Sequence, residues 1–251
     1  MLNKLLGIVE NVTEHGFQMD QMLEFVHWVM AILFVGWSIF FIVSLIRFHK
    51  SRNPKADYHG VRSKASTHIE LMVVLAESVF LLGFGIPLWG KQVYGPKPEQ
   101  NAERIRVVAE QYKWNFHYMG EDGVFGRQKI EFITAANPLG IDPSDPNGKD
   151  DIISVNEMHV EVDRPVIAEI SSKDVIHSFT PPYLRVGQDA TPGMVSPVWF
   201  KPIKTGSYEL VCGQLCGTGH YAMRGVIMID THEDYAEWKK EMVQLRSQSA
   251  Q

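Results

Sequence analysis

The chain has 251 residues, 45 % of them hydrophobic, and a formal net charge of −5, which allows one large domain or two modest parts. Its acidity argues against nucleic acid as a partner and suits a basic protein partner. The charge is uneven: residues 1–95 carry 8 Lys and Arg against 7 Asp and Glu, whereas residues 96–251 carry 16 against 22.

Residues 1–22 hold one lysine and three acids and are short enough to be translocated across a membrane. Leu5-Leu6-Gly7-Ile8-Val9 is too short, and too close to Glu10, to be the apolar core of a signal peptide. Residues 25–46 form a nearly unbroken apolar run, long enough to cross ~30 Å of hydrocarbon. Trp28 lies near one end, where aromatic belts form. A second run, residues 71–89, carries Glu77 in its interior. Helices are expected over about 25–46 and 69–89, joined as a hairpin. The link at residues 49–68 contains Lys50, Arg52, Lys55, Arg62 and Lys64 against Asp57 alone, which places it in the cytoplasm and both termini outside. Glu70 and Glu77 fall two turns apart on one face, and carboxylates there imply a larger membrane partner.

Gly95-Pro96-Lys97-Pro98 marks a boundary. Beyond it, strands are expected at residues 105–118, 158–162, 166–171, 198–201, 208–212 and 225–229. Pro165, Pro192-Gly193, Pro197, Pro202 and Gly206 punctuate them. This is the spacing of a β-sandwich or small barrel. Residues 135–151, rich in Asn, Pro, Asp and Gly, read as a solvated surface loop. Asp142, Asp145, Asp150 and Asp151 within it have a hard cation as their other reading. Residues 231–247 read as a helix, with Thr231 and Asp234 as a capping box and Tyr235, Trp238, Met242 and Leu245 as a packing stripe. The fold class is membrane-anchored all-β: a tail and two-helix hairpin (1–94), a β-domain (95–231), and a C-terminal helix and tail (232–251).

The only two cysteines lie in Cys212-Gly-Gln-Leu-Cys216-Gly-Thr-Gly-His220-Tyr-Ala-Met223, with His177 upstream. Two thiols, two imidazoles and a thioether suit copper. A disulfide, half a zinc site or a buried apolar pair are the competing readings. Zinc sites favour C-x2-C spacing and four ligands, and methionine is a poor zinc ligand. A thioredoxin-like motif reads C-x-x-C. A mononuclear blue-copper site uses one cysteine. Two cysteines are what a two-copper centre needs, if each thiolate bridges both metals. The strand ending at Cys212 is expected to deliver that residue to the tip of the sandwich. The loop at residues 213–222 then wraps the metal, with Gly217 and Gly219 allowing close backbone approach. Nothing in this set offers a general base, a nucleophile or an open coordination position, so the site is expected to pass electrons.

Two N-terminal membrane helices and a domain bearing His…Cys-x3-Cys-x3-His-x2-Met resemble subunit II of the haem–copper cytochrome c oxidases, over roughly residues 22–232. The resemblance implies a cupredoxin-like β-sandwich or barrel and a binuclear CuA centre of two copper ions. It implies Cys212 and Cys216 as bridges, His177 and His220 as terminal ligands, Met223 as a weak ligand and Gln214 as a carbonyl ligand. Asp174-Val-Ile-His177-Ser and Asp189-Ala-Thr-Pro-Gly193 are similar to family segments around the site. Gln111-Tyr112-Lys-Trp114-Asn-Phe-His-Tyr118 resembles the aromatic stretch facing the electron donor, so Tyr112 and Trp114 are the implied route of electrons inward. Glu70 falls where the family carries a carboxylate at the mouth of a proton channel.

The chain departs from the family at three places. Many members have Glu between the cysteines, and that side chain helps bind magnesium or manganese at the subunit interface. Gln214 is neutral, which weakens that ion site and keeps the carbonyl. Tyr112 stands where the first aromatic is usually tryptophan, and Val73 replaces another tryptophan. There is no C-x-x-C-H, so the electron donor is expected to be a separate protein.

The resemblance implies a subunit that takes electrons from a c-type cytochrome or similar carrier. It relays them to haem in subunit I, for oxygen reduction coupled to proton pumping, and has no catalytic site of its own. The haem-bearing subunit I and other oxidase subunits are the implied partners. A bacterial-type inner membrane, with the copper domain on its outer face, is the implied location. The alternative is a copper-binding assembly or storage protein. A quinol oxidase subunit of this fold lacks the copper ligands, and the copper domain of nitrous oxide reductase lacks the two-helix anchor.

Overall fold

The computed structural model describes residues 5–60, 63–93 and 101–249; the expected boundary at Gly95-Pro96-Lys97-Pro98 and Arg62 of the link lie outside them. The chain divides into two compact units: Asp20–Pro96, and Met1–Met19 together with Lys97–Gln251.

The first unit is helical. Helix α1 (Gly16–Arg47) has 32 residues, roughly 48 Å at 1.5 Å per residue. It starts well before residue 25 because Gln18, Met19, Gln21, Met22 and Glu24 are good helix formers that extend the helix past its apolar run. Helix α2 (Ala65–Phe80) passes through a π-helical turn at Leu81–Gly85 into α3 (Ile86–Val93). Pro87 explains the turn. It has no N–H to donate, its ring crowds the carbonyl of Gly83, and the backbone widens to absorb it. The most apolar 18-residue window of each span has none of its residues buried. Helices apolar on every side have lipid as their natural solvent. Phe25 of α1 stacks on Phe80 of α2, with ring centroids 5.5 Å apart.

Among the described residues the second unit holds ten strands. They are β1 (Glu103–Glu110), β2 (Lys113–Tyr118), β3 (Ile152–Val155), β4 (Glu157–Glu161), β5 (Val166–Ser172), β6 (His177–Thr180), β7 (Gln188–Ala190), β8 (Ser196–Phe200), β9 (Gly206–Cys212) and β10 (Arg224–Asp230). They form two five-stranded sheets, ordered β3-β2-β1-β5-β8 and β4-β10-β9-β6-β7. Pairing is antiparallel except for β1 with β5 and β4 with β10. This is the expected β-sandwich. Trp114, Phe116, Tyr118, Met158, Phe179, Phe200 and Leu210 share its buried core.

The run expected as one strand at residues 105–118 is a hairpin, turned at Gln111-Tyr112, with Glu110 opposite Lys113. Side-chain phase gives the reason. β1 buries Ile105, Val107 and Ala109, and β2 buries Trp114, Phe116 and Tyr118. One continuous strand would keep the odd positions inside and bury Gln111 and Lys113; the phase change between Ala109 and Trp114 is the turn.

The segment at residues 135–151 is not a solvated loop. It belongs to an excursion between β2 and β3 that covers the outer face of β2, so Asn115 and His117 are buried as well. Asp142, Asp145 and Asp151 are at most 5 % exposed. Desolvated carboxylates need donors, and each has them. Asp151 lies 2.6 Å from His117 Nε2 and accepts from Gly126 N at 2.8 Å. Asp145 accepts from Arg127 N at 2.8 Å, and Asp142 lies 2.9 Å from Lys129 Nζ. Asp150 accepts from Glu121 N at 2.6 Å.

Two further segments complete the unit. The N-terminal segment straps onto it: Val12 is fully buried, its N–H donates to Tyr183 O (3.0 Å), and Ile203 N–H donates to its carbonyl (2.9 Å). Helix α4 (His232–Ser249) opens with Thr231 as its cap, Thr231 Oγ1 accepting Asp234 N–H at 3.2 Å; the Asp234 carboxylate accepts from the Thr231 hydroxyl at 2.7 Å and not from the Thr231 backbone N–H that a full capping box would use. Tyr235 and Lys239 reach the buried Glu103 carboxylate, and Trp238 stacks on His159 at 4.2 Å. Leu245, the last of the expected stripe, stays half exposed.

The Tyr118 hydroxyl spans the two sheets, accepting His159 N–H (2.8 Å) and donating to His159 O (3.2 Å). Tyr118→Phe leaves both groups buried without a partner and lowers unfolding free energy by about 1–3 kcal/mol, measured by denaturant titration; an unchanged midpoint contradicts this. Burial depresses the His117 pKa below 6.5, outweighing the pull of Asp151. The unfolded chain therefore binds more protons just below pH 6.5. Stability from this group is present above pH 6.5 and is lost as pH falls through that value. Thermal unfolding should show this slope, and His117→Asn should flatten it.

Candidate metal centre

Strand β6 opens at His177 and β9 closes at Cys212. The two are neighbours in one sheet, with Phe179 opposite Cys212, and Gly213 N–H donates to Ser178 O at 2.9 Å. Strand β10 leaves immediately after Met223, and Cys212 N–H donates to Met223 O at 3.3 Å. The loop carrying Cys216 and His220 is thus the connection of a β-hairpin, with Cys212 and Met223 at its stem. A strand start and one hairpin loop bring all five side chains to one end of the sandwich.

Their donor atoms converge. Cys212 Sγ lies 3.9 Å from Cys216 Sγ, and both cysteines are free. Each sulfur faces one imidazole: Cys212 Sγ is 3.8 Å from His177 Nδ1, and Cys216 Sγ is 3.6 Å from His220 Nδ1. Met223 Sδ lies 3.8 Å from Cys216 Sγ, and the Gln214 carbonyl oxygen lies 3.2 Å from Cys212 Sγ. Bond lengths of about 2.3 Å to sulfur and about 2.0 Å to nitrogen at a tetrahedral ion separate a sulfur–nitrogen donor pair by about 3.5 Å. The spacings fit donors around soft metal ions. The His177, Cys212 and Cys216 atoms all lie within 4.8 Å of one another.

Burial, then the neighbouring Cys212 thiol, push the Cys216 pKa up to about 11. A metal bound by the Cys216 thiolate would therefore displace its proton. His177 is fully buried, and its Nε2 lies 2.9 Å from Asp174 Oδ1. A carboxylate on Nε2–H leaves the Nδ1 lone pair facing the sulfurs. Partial burial works to raise the Asp174 pKa, but N–H donation from Gln111, His177 and Val175 outweighs it and holds the carboxyl below its usual range.

The expected aromatic route divides in two. Trp114 reaches no solvent; its ring meets His177 edge-on at 6.3 Å. Tyr112 sits half buried at the β1–β2 hairpin tip, its hydroxyl 3.3 Å from Thr218 Oγ1 of the ligand loop. Two glycines make room for it. Gly217 has a φ of +138°, and a Cβ on Gly219 would meet Tyr112 Cδ2 at 2.5 Å. The Gln214 side chain is exposed. Glu70 and Glu77 belong to α2 of the helical unit, where both are exposed. Thr218 carried no signal in the sequence, since a neutral polar residue at a turn looks like any other. Asp174 and Gln111 head segments similar to family segments around the site, but the sequence alone assigns neither a role.

Residues 104–230 match the family described as cytochrome c oxidase subunit II, periplasmic domain. The alternative cytochrome c oxidase subunit 2 of Bradyrhizobium diazoefficiens is 29 % identical over 90 % of this chain and 80 % of its own. A probable cytochrome c oxidase subunit 2 of Rickettsia bellii is 30 % identical over 82 % of this chain and 72 % of its own. Among solved structures, the periplasmic domain of subunit II of cytochrome oxidase of Bradyrhizobium japonicum is 28 % identical, with 59 % of this chain and 96 % of that one covered and a TM-score of 0.43.

Gly219→Ala should push the Tyr112 ring off the ligand loop and lower stability by about 1–3 kcal/mol. A crystal structure and a denaturation curve of the variant check this; an unmoved ring at unchanged stability contradicts it.

Proposed function

The chain belongs to the cytochrome c oxidase subunit II family, and from that membership we propose that its β-domain is the electron-accepting module of the complex, built around two copper ions. The protein is a component of a haem–copper oxidase, with other oxidase subunits as partners. It is membrane-anchored and its β-domain is periplasmic. The family and the His177, Cys212 and Cys216 group support a copper site. A copper assembly or storage protein is not favoured.

One observation carries the two-ion reading: two sulfurs 3.9 Å apart, each facing its own imidazole nitrogen. In this reading Cys212 and Cys216 would hold both ions, His177 and His220 would hold one each, Met223 would be a weak ligand and Gln214 would offer its carbonyl. Copper bound there supplies a one-electron carrier. The protein holds its donors fixed at strand ends, so little has to move when the charge changes. Tyr112, at the surface beside the ligand loop, is the contact for an incoming c-type cytochrome or similar carrier, and Trp114 lies behind it against His177. Electrons then pass to haem in subunit I, where oxygen is reduced and protons are pumped. Glu70 serves at the mouth of a proton path, with the basic link on the cytoplasmic side. Neutral Gln214 leaves the interface magnesium or manganese site weak.

Cys212→Ser should abolish the two-copper absorption, because one thiolate cannot bridge as two do; a variant that keeps the purple spectrum and full electron transfer overturns the assignment. Gln214→Ala should leave the copper spectrum nearly intact, because the carbonyl is retained. Copper analysis of the purified variant complex reads both.

A further inference from the structure

The ligands all belong to the second sheet and its loop, yet the residue that ties them together belongs to the first. Gln111 sits at the exposed tip of the β1–β2 hairpin. Its side-chain Nε2 donates to the Cys216 carbonyl at 2.6 Å, and its backbone N–H donates to Asp174 Oδ2 at 2.7 Å. The other Asp174 oxygen takes His177 Nε2 at 2.9 Å. An unbroken path of hydrogen bonds therefore runs from the ligand loop at Cys216, through one glutamine, to the ligand at the head of β6. We propose that Gln111 is the positioning residue that couples the two separate halves of the metal-binding set, fixing the Cys216 loop and the His177 ring relative to each other.

Three features make this bridge specific. The Cys216 carbonyl leads directly into Gly217, whose φ of +138° favours glycine, so the peptide that Gln111 holds stands at the least conventional backbone of the loop. A Cβ on Gly217 would lie 2.7 Å from Gln111 Nε2, so the loop is shaped to let this side chain in. The chain between Cys216 and His220 has few other fixings on this side: His220 N–H donates to Gly217 O at 3.1 Å, and Thr218 meets the Tyr112 hydroxyl at 3.3 Å. The hydrogen bond of Gln111 acts on a ligand backbone and not on a ligand atom. Its loss should alter the geometry of the donor set without removing a donor.

This inference rests on the two-copper reading, and its test separates the two. The full oxidase complex is purified in mild detergent as wild type, Gln111→Met and Gln111→Glu. Methionine keeps the length and loses the donor; glutamate differs by one NH2 replaced by oxygen and turns the donor into an acceptor facing a carbonyl. Near-infrared absorption, copper hyperfine structure in electron paramagnetic resonance and the rate of copper loss to a chelator are read alongside thermal unfolding. Both variants should keep the wild-type unfolding midpoint, shift the near-infrared band and lose copper about tenfold faster or more, the glutamate variant faster than the methionine variant. Variants with the wild-type spectrum and chelator rate overturn the role of Gln111. A wild-type complex without the near-infrared band overturns the copper reading itself. If the methionine variant fails to assemble, the isosteric glutamate variant decides alone.

Discussion

Two buried thiols 3.9 Å apart are the constraint around which this domain is organised. Burial with the neighbouring sulfur lifts Cys216 to about 11, so that thiol keeps its proton at neutral pH. A cation between them reverses the balance, since a coordinated thiol is deprotonated outright. The surrounding structure sets this arrangement. Cys212 is fixed by its place at the end of β9, and Met223 by the β-stem it shares with Cys212. His177 is fixed by starting β6, opposite Ala190 of β7.

The sandwich divides the work. One sheet supplies donors and the other supplies the hairpin tip that presses on them. Gly217 and Gly219 are small because Gln111 and Tyr112 occupy the space a side chain would take. Trp114 fills the core directly behind His177, so the imidazole is braced by an aromatic edge on one side and a carboxylate on another. A site held from two sheets reorganises little, which suits the electron-accepting role proposed for it.

The cluster of candidate donors was legible because its residue types are rare and their spacing is tight: two cysteines in the whole chain, followed by a histidine and a methionine within one loop. The membrane helices were legible because apolar runs of that length have few other uses. The β1–β2 turn was not, because Gln111-Tyr112 lacks glycine, proline or asparagine, and only the phase change from Ala109 to Trp114 betrays it. The acids at 142, 145 and 151 read as solvent-facing because polarity is local information. What buries them is pairing with Lys129, Arg127 and His117, which only the fold brings near. Val12 gave no signal for another reason: set between Asn11 and Thr13, beyond the Leu5–Val9 run, it belongs to no periodic pattern, yet it closes a strap onto the domain.

The most direct measurement is the near-infrared absorption of the intact complex, purified from membranes in mild detergent, together with its copper content. The expected result is a purple chromophore and two copper ions for each copy of this chain, in addition to any copper in the partner subunit. A chain that carries a single zinc ion, or a Cys212–Cys216 disulfide with no near-infrared band, would contradict it.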